Sequence, residues 1–187
     1  MITVPLLKGS NIILRARKPE DTEDRVRAGR HQEIVHMYGG DTRAIKPLTR
    51  EQAEKEFEQP VLPYEAIRWM IEFEGKCIGG TRLTLFDTDR KARFAIGIFN
   101  ITMLSKGLGT EATNLVLEYA FNTLSLHRVE LRVLEYNKRA IACYKKCGFV
   151  IEGLERDSAL VEDKWESDVM MSILEAEYRA IHNRYSL

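Results

Sequence analysis

Apolar and polar residues alternate through the middle of the chain, between residues 66 and 99. One face of "AIRWMIEFEG" carries Ile67, Trp69, Ile71 and Phe73, and the other carries Arg68, Met70, Glu72 and Glu74. Two further stretches of strand character follow, "KCIGGTRLTLFD" and "ARFAIGIF", after the turns "GK" and "DTDRK". The pattern predicts three consecutive antiparallel strands. Gly97, inside the third strand, predicts a bulge or a close approach by another backbone or a ligand.

Helical periodicity brackets these strands. A charged amphipathic stretch predicts a helix from Asp21 to about Met37, ended by Gly39 and Gly40. A second helix is predicted from near Thr49 to just before Pro60. Its acidic residues are Glu51, Glu54, Glu56 and Glu58. They either attract a cationic substrate or form a solvated face.

Two more helices are predicted in the second half of the chain. "TEATNLVLEYAFNTL" is apolar on most sides, which is typical of a buried helix. "NKRAIACYKKCGF" carries signals at both ends, because Asn137 is a favoured N-cap and Gly148 suits a left-handed C-terminal position.

The other strands are "NIILRARKPED", stopped at Pro19, then "HRVELRVLE", "FVIEG" and "DVMMSIL". The predicted order is therefore β-α-α-β-β-β-α-β-α-β-β. This order indicates a mixed α/β fold with a largely antiparallel sheet. No repeat or linker divides the 187 residues, so one domain over 1–187 is expected.

Charge and cysteine content narrow the classes of protein. Lys and Arg together number 28, as do Asp and Glu, which disfavours a nucleic-acid or membrane partner. The first residues lack the apolar run of a signal peptide, and no stretch reaches the length of a membrane span. Cys77, Cys143 and Cys147 follow no disulfide framework, so a cytoplasmic location is expected. Cys143 and Cys147 share a helix face, where small apolar filling is favoured over a metal pair, so no metal site is predicted.

The stretch "SKGLGTEA", residues 105–112, places two glycines directly before a helix. Unpaired amides and the helix dipole make such a start an anion site, and glycines let a phosphate approach. A dinucleotide fingerprint needs a third glycine, but Ala112 stands there. A Walker loop needs its lysine after the glycines, whereas Lys106 precedes them. A plain tight turn remains the other interpretation.

In this context the chain resembles the GCN5-related N-acetyltransferases (GNAT family), from about Asn11 to Leu174. The family signature [Q/R]-x-x-G-x-[G/A] aligns with 104–109, and "TEA" follows it. The pattern N-x-x-[A/S]-x-x-x-Y-x-x-x-G-F aligns with Asn137, Ala140, Tyr144, Gly148 and Phe149. "LR" at 14–15 and "EG" followed by Arg156 resemble the branch of ribosomal-protein N-terminal and spermidine acetyltransferases. The resemblance implies a splayed mixed sheet of six to seven strands with helices on both faces.

The resemblance also implies an acetyl-CoA site. The end of the third strand would bind the pantetheine arm through backbone groups, at Ile96, Ile98 and Phe99. The loop would bind the pyrophosphate, at Leu104, Ser105, Lys106, Gly107, Leu108, Gly109 and Thr110. Asn137 and Tyr144 would add contacts from one helix face. Leu104 stands where the family prefers Gln or Arg, so backbone amides are expected to do most of the binding.

The implied chemistry is direct attack of a primary amine on the acetyl thioester, with both substrates bound together. Tyr144 matches the family's frequent acid, and packing in the core is its other interpretation. Ala95 stands where many members of the family carry a glutamate, and that glutamate is commonly assigned as the general base. Glu72, on the neighbouring strand, is the first carboxylate to consider in its place, against the alternative of a surface residue. A backbone amide of the central strand would hold the oxyanion.

The acceptor stays open between a small amine, such as a polyamine or an antibiotic, and an amino-acid or protein α-amine. The glutamate-rich helix favours a polycation. The missing base favours an α-amine, which is easier to keep neutral. A non-catalytic acyl-CoA-binding module is the alternative function, since Leu104 and Ala95 both depart from the family. A homodimer paired through strands is a further expectation.

Overall fold

The computed structural model describes residues 4–58, 65–86 and 89–183. Its strands are β1 (Leu7–Lys8), β2 (Ile12–Arg15), β3 (Ala66–Phe73), β4 (Lys76–Phe86), β5 (Lys91–Ile98), β6 (Arg128–Leu134), β7 (Val150–Val161) and β8 (Lys164–Leu174). Its helices are α1 (Asp21–Ala28), α2 (Gln32–Met37), α3 (Arg50–Glu58), α4 (Leu108–Glu118), α5 (Lys138–Lys146) and α6 (Glu175–Asn183). A 3-10 turn at Ile101–Met103 precedes α4, and a π turn at Tyr119–Thr123 continues it.

The strands form one sheet in the order β1-β2-β3-β4-β5-β6-β8-β7. All neighbours are antiparallel except β5 and β6, which run parallel. The predicted mixed α/β class and largely antiparallel sheet are therefore confirmed. The two-residue strand β1, which pairs Leu7 with Leu14, brings the described strands to eight rather than six or seven.

The parallel pair separates along its length, which produces the splay. Pairing runs from Lys91 opposite Arg128 to Arg93 opposite Glu130, and the strands then diverge. On its other side, strand β6 pairs with β8 along its whole length, from Arg128 to Leu134. The C-terminal end of β5 thus keeps β4 on one side and an opening on the other.

The alternation predicted for β3 is the alternation found. Ile67, Trp69 and Ile71 are completely or almost completely buried. Trp69 meets the ring of Tyr119 edge-on at 5.7 Å, which places this face of the sheet under α4. The opposite face is covered by α1, where the side chain of Asp24 accepts a hydrogen bond from the Cys77 amide at 2.8 Å. Helices therefore cover both faces of the sheet, as predicted.

The predicted helix from Asp21 to Met37 is two helices. Gly29 takes a φ of 64°, and its amide closes the last turn of α1 on the carbonyls of Arg25 and Val26. The chain restarts at α2, where His31 caps the helix by accepting from the Glu33 amide at 3.3 Å. Gly29, earlier than the predicted stop, ends the first helix because a left-handed residue interrupts helical bonding.

The second half of the chain departs from prediction in length more than in type. Strands β7 and β8 extend well beyond "FVIEG" and "DVMMSIL", and α6 follows without having been predicted. Gly97 lies in regular register opposite Gly80, so no bulge occurs there. Residues 87 and 88, the first two of the predicted turn "DTDRK", and the predicted stop at Pro60 lie outside the described residues.

Candidate functional site

A cavity of about 560 Å³ opens where β5 and β6 diverge. Its walls come from the C-terminal ends of these two strands, the loop from Met103 to Thr110, the inner face of α5 and the end of α2. Because two neighbouring strands separate here, the backbone groups of β5 beyond Arg93 that face β6 are not paired with that strand. The splay of the sheet therefore forms the site.

At one end of the cavity, α4 begins. Gly107 adopts a φ of 82° immediately before the helix, a conformation that favours glycine. The first helical hydrogen bond joins the Glu111 amide to the Gly107 carbonyl at 3.0 Å, so the amides of residues 108–110 precede it. Such amides, with the helix dipole, form an anion site. Gly109 lines the cavity, and a Cβ there would lie 3.7 Å from Cδ1 of Ile98.

Helix α5 forms the floor beside this loop. Asn137 caps it as predicted, because its side-chain oxygen accepts from the Ala140 amide at 3.1 Å. Tyr144 lies seven residues later, with its ring packed edge-on against Phe94 at 6.4 Å and tilted against Phe149 at 5.8 Å. Burial raises the pKa of Tyr144 far above its usual value. Its phenol therefore remains protonated and is available as a hydrogen-bond donor.

The two faces of β5 separate two halves of the cavity. Phe94 and Ile98 point toward α4 and α5, as their contacts with Tyr144 and Gly109 show. Ala95 and Gly97 point the other way, because side chains alternate along a strand. A Cβ on Gly97 would lie only 3.3 Å from the hydroxyl oxygen of Tyr38. The space beside Gly97 is therefore taken by a side chain from the end of α2, rather than by the backbone or ligand that the sequence predicted.

Tyr38 was not predicted from the sequence, yet its hydroxyl lies in the splay. It donates a hydrogen bond to the carbonyl oxygen of Ile96 at 3.2 Å. Although 57% of the residue's surface is exposed, the hydroxyl end is enclosed, and burial raises the pKa of Tyr38. Tyr38 is also close enough to contribute to the raised pKa of Tyr144. The two phenols thus lie on opposite sides of β5 and interact electrostatically.

A carboxylate also lines the half of the cavity that holds Tyr38. Asp168 on β8 pairs directly with Leu134 on β6, and Leu134 Cδ1 lies 3.2 Å from where a Cβ on Gly39 would be. Asp168 is 9% exposed and accepts a hydrogen bond from the Ser158 hydroxyl at 3.0 Å. The available sequence signal was a charged residue at the start of the apolar strand "DVMMSIL".

Contacts from β6 and α5 fix the end of α2 over the opening. The Tyr136 hydroxyl donates to the His36 carbonyl at 2.7 Å, and the two rings stack at 4.6 Å. Asn137 Nδ2 donates to the Met37 carbonyl at 3.2 Å. Because these bonds hold the residues next to it, Tyr38 is positioned by backbone contacts that no local sequence pattern reveals.

The structure brings most of the predicted cofactor residues together. The lining includes Ile96, Ile98, Leu104, Ser105, Gly107, Gly109, Thr110, Asn137 and Tyr144. Three others lie outside it. Phe99 packs under the Arg25 guanidinium at 5.1 Å, Leu108 is buried in the core, and Lys106 is exposed.

The structure does not bring Glu72 to this cavity. Its carboxylate forms ion pairs with Arg15 and, at 3.3 Å, with Lys18, on the face of β3 turned toward α1. The hydrogen bond from Arg15 holds the pKa of Glu72 below its usual value. A carboxylate neutralised by two cations is a poor proton acceptor, and Glu72 is a structural ion-pair partner here.

The glutamates of α3 are also paired with cations. Glu51 binds Lys55 at 2.7 Å, and Glu54 binds Arg50 at 3.2 Å. Glu56 binds Arg25 and Arg30, and Glu58 lies 3.6 Å from Arg17. These pairs neutralise the helix, so the interpretation as a solvated face is preferred to that of a polycation-binding helix.

Two negative findings concern residues 4–58, 65–86 and 89–183. Within these ranges no group of His, Cys, Asp and Glu side chains is arranged to hold a metal ion. No helix in the described part of the chain is long and apolar enough to cross a membrane.

The family is identified by sequence. The model of the acetyltransferase (GNAT) domain matches residues 11–150, so the chain belongs to this family. Spermidine N(1)-acetyltransferase of Escherichia coli K12 is 31% identical over 116 residues, which cover 62% of each chain. The [ribosomal protein uS5]-alanine N-acetyltransferase of the same strain is 29% identical over 68 residues, 36% of this chain and 35% of that protein. The first of these matches thus spans less than two thirds of its relative.

Solved structures show the same fold. Spermidine N-acetyltransferase from Vibrio cholerae, solved with CoA and spermine, aligns with a TM-score of 0.74 at 24% identity, covering 91% of this chain and 99% of that one. A GCN5-related N-acetyltransferase from Brucella melitensis aligns with a TM-score of 0.80 at 17% identity, covering 99% and 85%. At these sequence identities the likeness shows the fold alone.

Proposed function

We propose that this chain is a single-domain N-acetyltransferase that moves an acetyl group from acetyl-CoA to a primary amine in a ternary complex. The observation that carries the proposal is the splay itself. A helix start suited to an anion lies at one end of the cavity, and the cavity lining also includes the phenols of Tyr38 and Tyr144 and the carboxylate of Asp168. Family membership supports the same chemistry.

The cofactor would lie along the splay. The amides of residues 108–110 at the start of α4 would receive the pyrophosphate, because they precede the helix's own bonding. The pantetheine arm would pair with the backbone of β5 at Ile96 and Ile98. The Leu104 side chain lines this path without a hydrogen-bonding group, so the backbone would supply the polar contacts. Acetyl-CoA supplies the thioester.

The acceptor would enter from the α2 side, where Tyr38 and Asp168 lie. An alkylamine with a pKa near 10.4 costs about 4.6 kcal/mol to hold neutral at pH 7, and an α-amine near 7.8 costs about 1 kcal/mol. A carboxylate that receives the proton lowers this barrier. We assign that role to Asp168, which replaces Glu72 as the carboxylate of choice because it lines the cavity.

The bond changes follow from these positions. The amine nitrogen attacks the thioester carbon, the oxyanion is held by a β5 amide, and the carbon–sulfur bond then breaks. Tyr144 donates its hydroxyl hydrogen toward the leaving sulfur. Its raised pKa keeps the donor protonated, so it stabilises the thiolate through a hydrogen bond.

A polyamine is the first acceptor to test. Burial, followed by the charges of Glu166, Glu162 and Asp168, raises the pKa of Tyr136, and these three carboxylates place negative charge beside the end of α2. A second ammonium group on the acceptor would be attracted to this region. Relatives named spermidine N(1)-acetyltransferase support the same class. An α-amine of an amino acid or peptide is the second class.

The deciding experiment is release of free CoA thiol from acetyl-CoA with a panel of polyamines, aminoglycosides, amino acids and short peptides. Turnover that saturates with one class supports the proposal and names the acceptor. Acetyl-CoA binding without turnover on any class would favour the alternative, a non-catalytic acyl-CoA-binding module. Failure to bind acetyl-CoA at all would overturn both.

Location and assembly complete the proposal. The cysteines are free thiols, which suits the cytoplasm. Strand β7 is at the edge of the sheet and exposes Val150, Ile151 and Leu154, which are 52%, 44% and 47% exposed. We assign this edge to a second copy of the chain, since an exposed apolar edge favours strand pairing. Light scattering with the wild type and Leu154→Lys tests it, and a wild-type monomer would contradict it.

A further inference from the structure

The three cysteines differ in what surrounds them. Cys77 and Cys147 are buried, with 3% and 4% of their surface exposed. Cys143 is half-buried and is the cysteine that lines the cavity. It takes no part in the proposed transfer reaction. The interpretation as small apolar filling therefore suits Cys77 and Cys147 better than Cys143.

The sulfur of Cys143 lies beside the start of α4. It is 3.3 Å from the Thr110 hydroxyl oxygen and 3.9 Å from where a Cβ on Gly109 would be. The neighbouring Cys147 thiol contacts the Thr110 carbonyl at 3.7 Å, which holds the two sulfurs on one side of α5. A thiol near a helix N-terminus is stabilised as the thiolate by the dipole.

The surroundings act in the same direction. The neighbouring Cys147 thiol, followed by the Thr110 and Thr113 hydroxyls and the nearby Lys146 ammonium, lowers the pKa of Cys143, while burial opposes them. The same interaction raises the pKa of Cys147. Cys143 lines the cavity whereas Cys147 is buried, so Cys143 is the thiol of the pair that a small molecule in the cavity can reach.

We propose that Cys143 is a modification site that forms a mixed disulfide with a low-molecular-weight thiol and thereby closes the cofactor cavity. The Cys143 thiolate attacks one sulfur of a small disulfide. A new sulfur–sulfur bond forms at Cys143, the original one breaks, and the other half leaves as a thiolate that takes a proton from water. The disulfide is the oxidant, so the step needs no other.

The adduct would occupy the wall beside Gly109 and Thr110. That wall is where the pyrophosphate would be seated, so the modified protein could not bind acetyl-CoA. This blocking effect rests on the proposed function, whereas the reactivity of Cys143 does not. CoA disulfide and glutathione disulfide share the required chemistry, and only CoA disulfide also carries a pyrophosphate.

The experiment treats the reduced full-length protein with CoA disulfide or with glutathione disulfide and locates the adduct by peptide mass mapping. We expect modification at Cys143 about tenfold or more faster than at Cys77 or Cys147, because thiolate character and access both favour it. Acetyl-CoA added first should slow the reaction, and dithiothreitol should reverse it. A faster reaction with one disulfide identifies the source of the modifying thiol.

Controls separate this proposal from the proposed function. Cys143→Ala should abolish the adduct and Cys77→Ala should not, and Cys143→Ser serves if the alanine variant folds poorly. Absence of an adduct at Cys143, or an adduct that leaves acetyl-CoA binding intact, would overturn the inference. Titration of the unmodified protein with acetyl-CoA tests cofactor binding by itself. If the unmodified protein does not bind acetyl-CoA, the proposed function is contradicted and the reactivity of Cys143 is not.

Discussion

The hydroxyl of Tyr38 donates a hydrogen bond to the carbonyl of Ile96 across the opening of the sheet. This carbonyl belongs to the stretch of β5 that has lost its β6 neighbour. Tyr38 thus satisfies a backbone group to which we have assigned the pantetheine arm. In the proposed complex the arm would displace the Tyr38 hydroxyl from this carbonyl.

Tyr38→Phe should strengthen acetyl-CoA binding by about two- to tenfold, since a hydrogen bond of this kind is worth about 0.5–1.5 kcal/mol and no longer competes. Calorimetric titration measures the change. Tyr178→Phe, on the stacked pair with Phe121, is the matched control and should bind as the wild type does. Weaker binding by Tyr38→Phe would mean that the hydroxyl contacts the bound cofactor.

Tyr144→Phe should reduce turnover by about a hundredfold or more, in the range for loss of a positioned proton donor. The ring packing against Phe94 and Phe149 is retained, so acetyl-CoA affinity should change little. Steady-state rates and a binding titration on the same preparation separate the two effects. Unchanged turnover would assign Tyr144 to the core alone.

Asp168→Asn should reduce turnover with alkylamines by about a hundredfold or more at neutral pH, because the proton acceptor is lost. The remaining rate should rise about tenfold per pH unit below the amine pKa of about 10.4, as neutral amine becomes available in solution. A pH–rate profile of the variant checks this. A profile parallel to that of the wild type would remove Asp168 from the proton path.

Glu72→Gln provides the contrasting case. Loss of its ion pair with the largely buried Arg15 should cost about 1–2 kcal/mol of stability, while Arg15 keeps Asp21 at 2.7 Å. Turnover at saturating substrates should stay within about twofold of wild type, because Glu72 does not line the cavity and the substitution alters an ion pair away from it. Thermal unfolding and activity assays report these separately. A large loss of turnover in a stably folded variant would return the base role to Glu72.

Stability should fall in acid through Glu152. Its two carboxylate oxygens each accept from Arg128 at 2.6 Å, which lowers its pKa to about 2. Since the folded pKa is the lower one, the stabilisation is present above the unfolded pKa of about 4.3 and is lost as pH falls toward 2. The pair is partly exposed, so about 1 kcal/mol is expected. Glu152→Gln should flatten the unfolding free energy over this range, and a curve unchanged from wild type would contradict the assignment.

The sequence predicted local features well. The alternation at 66–73, the cap at Asn137 and the left-handed position at Gly148, with its φ of 94°, all have local causes. The prediction of one helix from Asp21 was wrong at Gly29. The apolar periodicity continues across the break, and that periodicity does not reveal a single residue with a positive φ.

The half of the cavity that holds Tyr38 and Asp168 could not be predicted in this way. Tyr38 and Asp168 meet the cavity because α2 is bound to Tyr136 and Asn137 and because β8 pairs with β6. The contacts of α2 with Tyr136 and Asn137 join residues 100 positions apart in the chain. The pairing of β6 with β8 joins residues more than thirty positions apart. Glu72 illustrates the converse, because β4 lies between its strand β3 and strand β5, and its carboxylate is held by Arg15 and Lys18.

The central claim is that the splay between β5 and β6 seats acetyl-CoA with its pyrophosphate at the start of α4. Calorimetric titration of acetyl-CoA into the wild type and into Gly109→Val tests it most directly, because a branched side chain there would project toward Ile98 and Cys143. We expect the wild type to bind one acetyl-CoA per chain saturably. We expect folded Gly109→Val to bind acetyl-CoA about a hundredfold more weakly, because its side chain would be forced into the ligand's place. No saturable binding by the wild type, or equal affinity in both proteins, would contradict it.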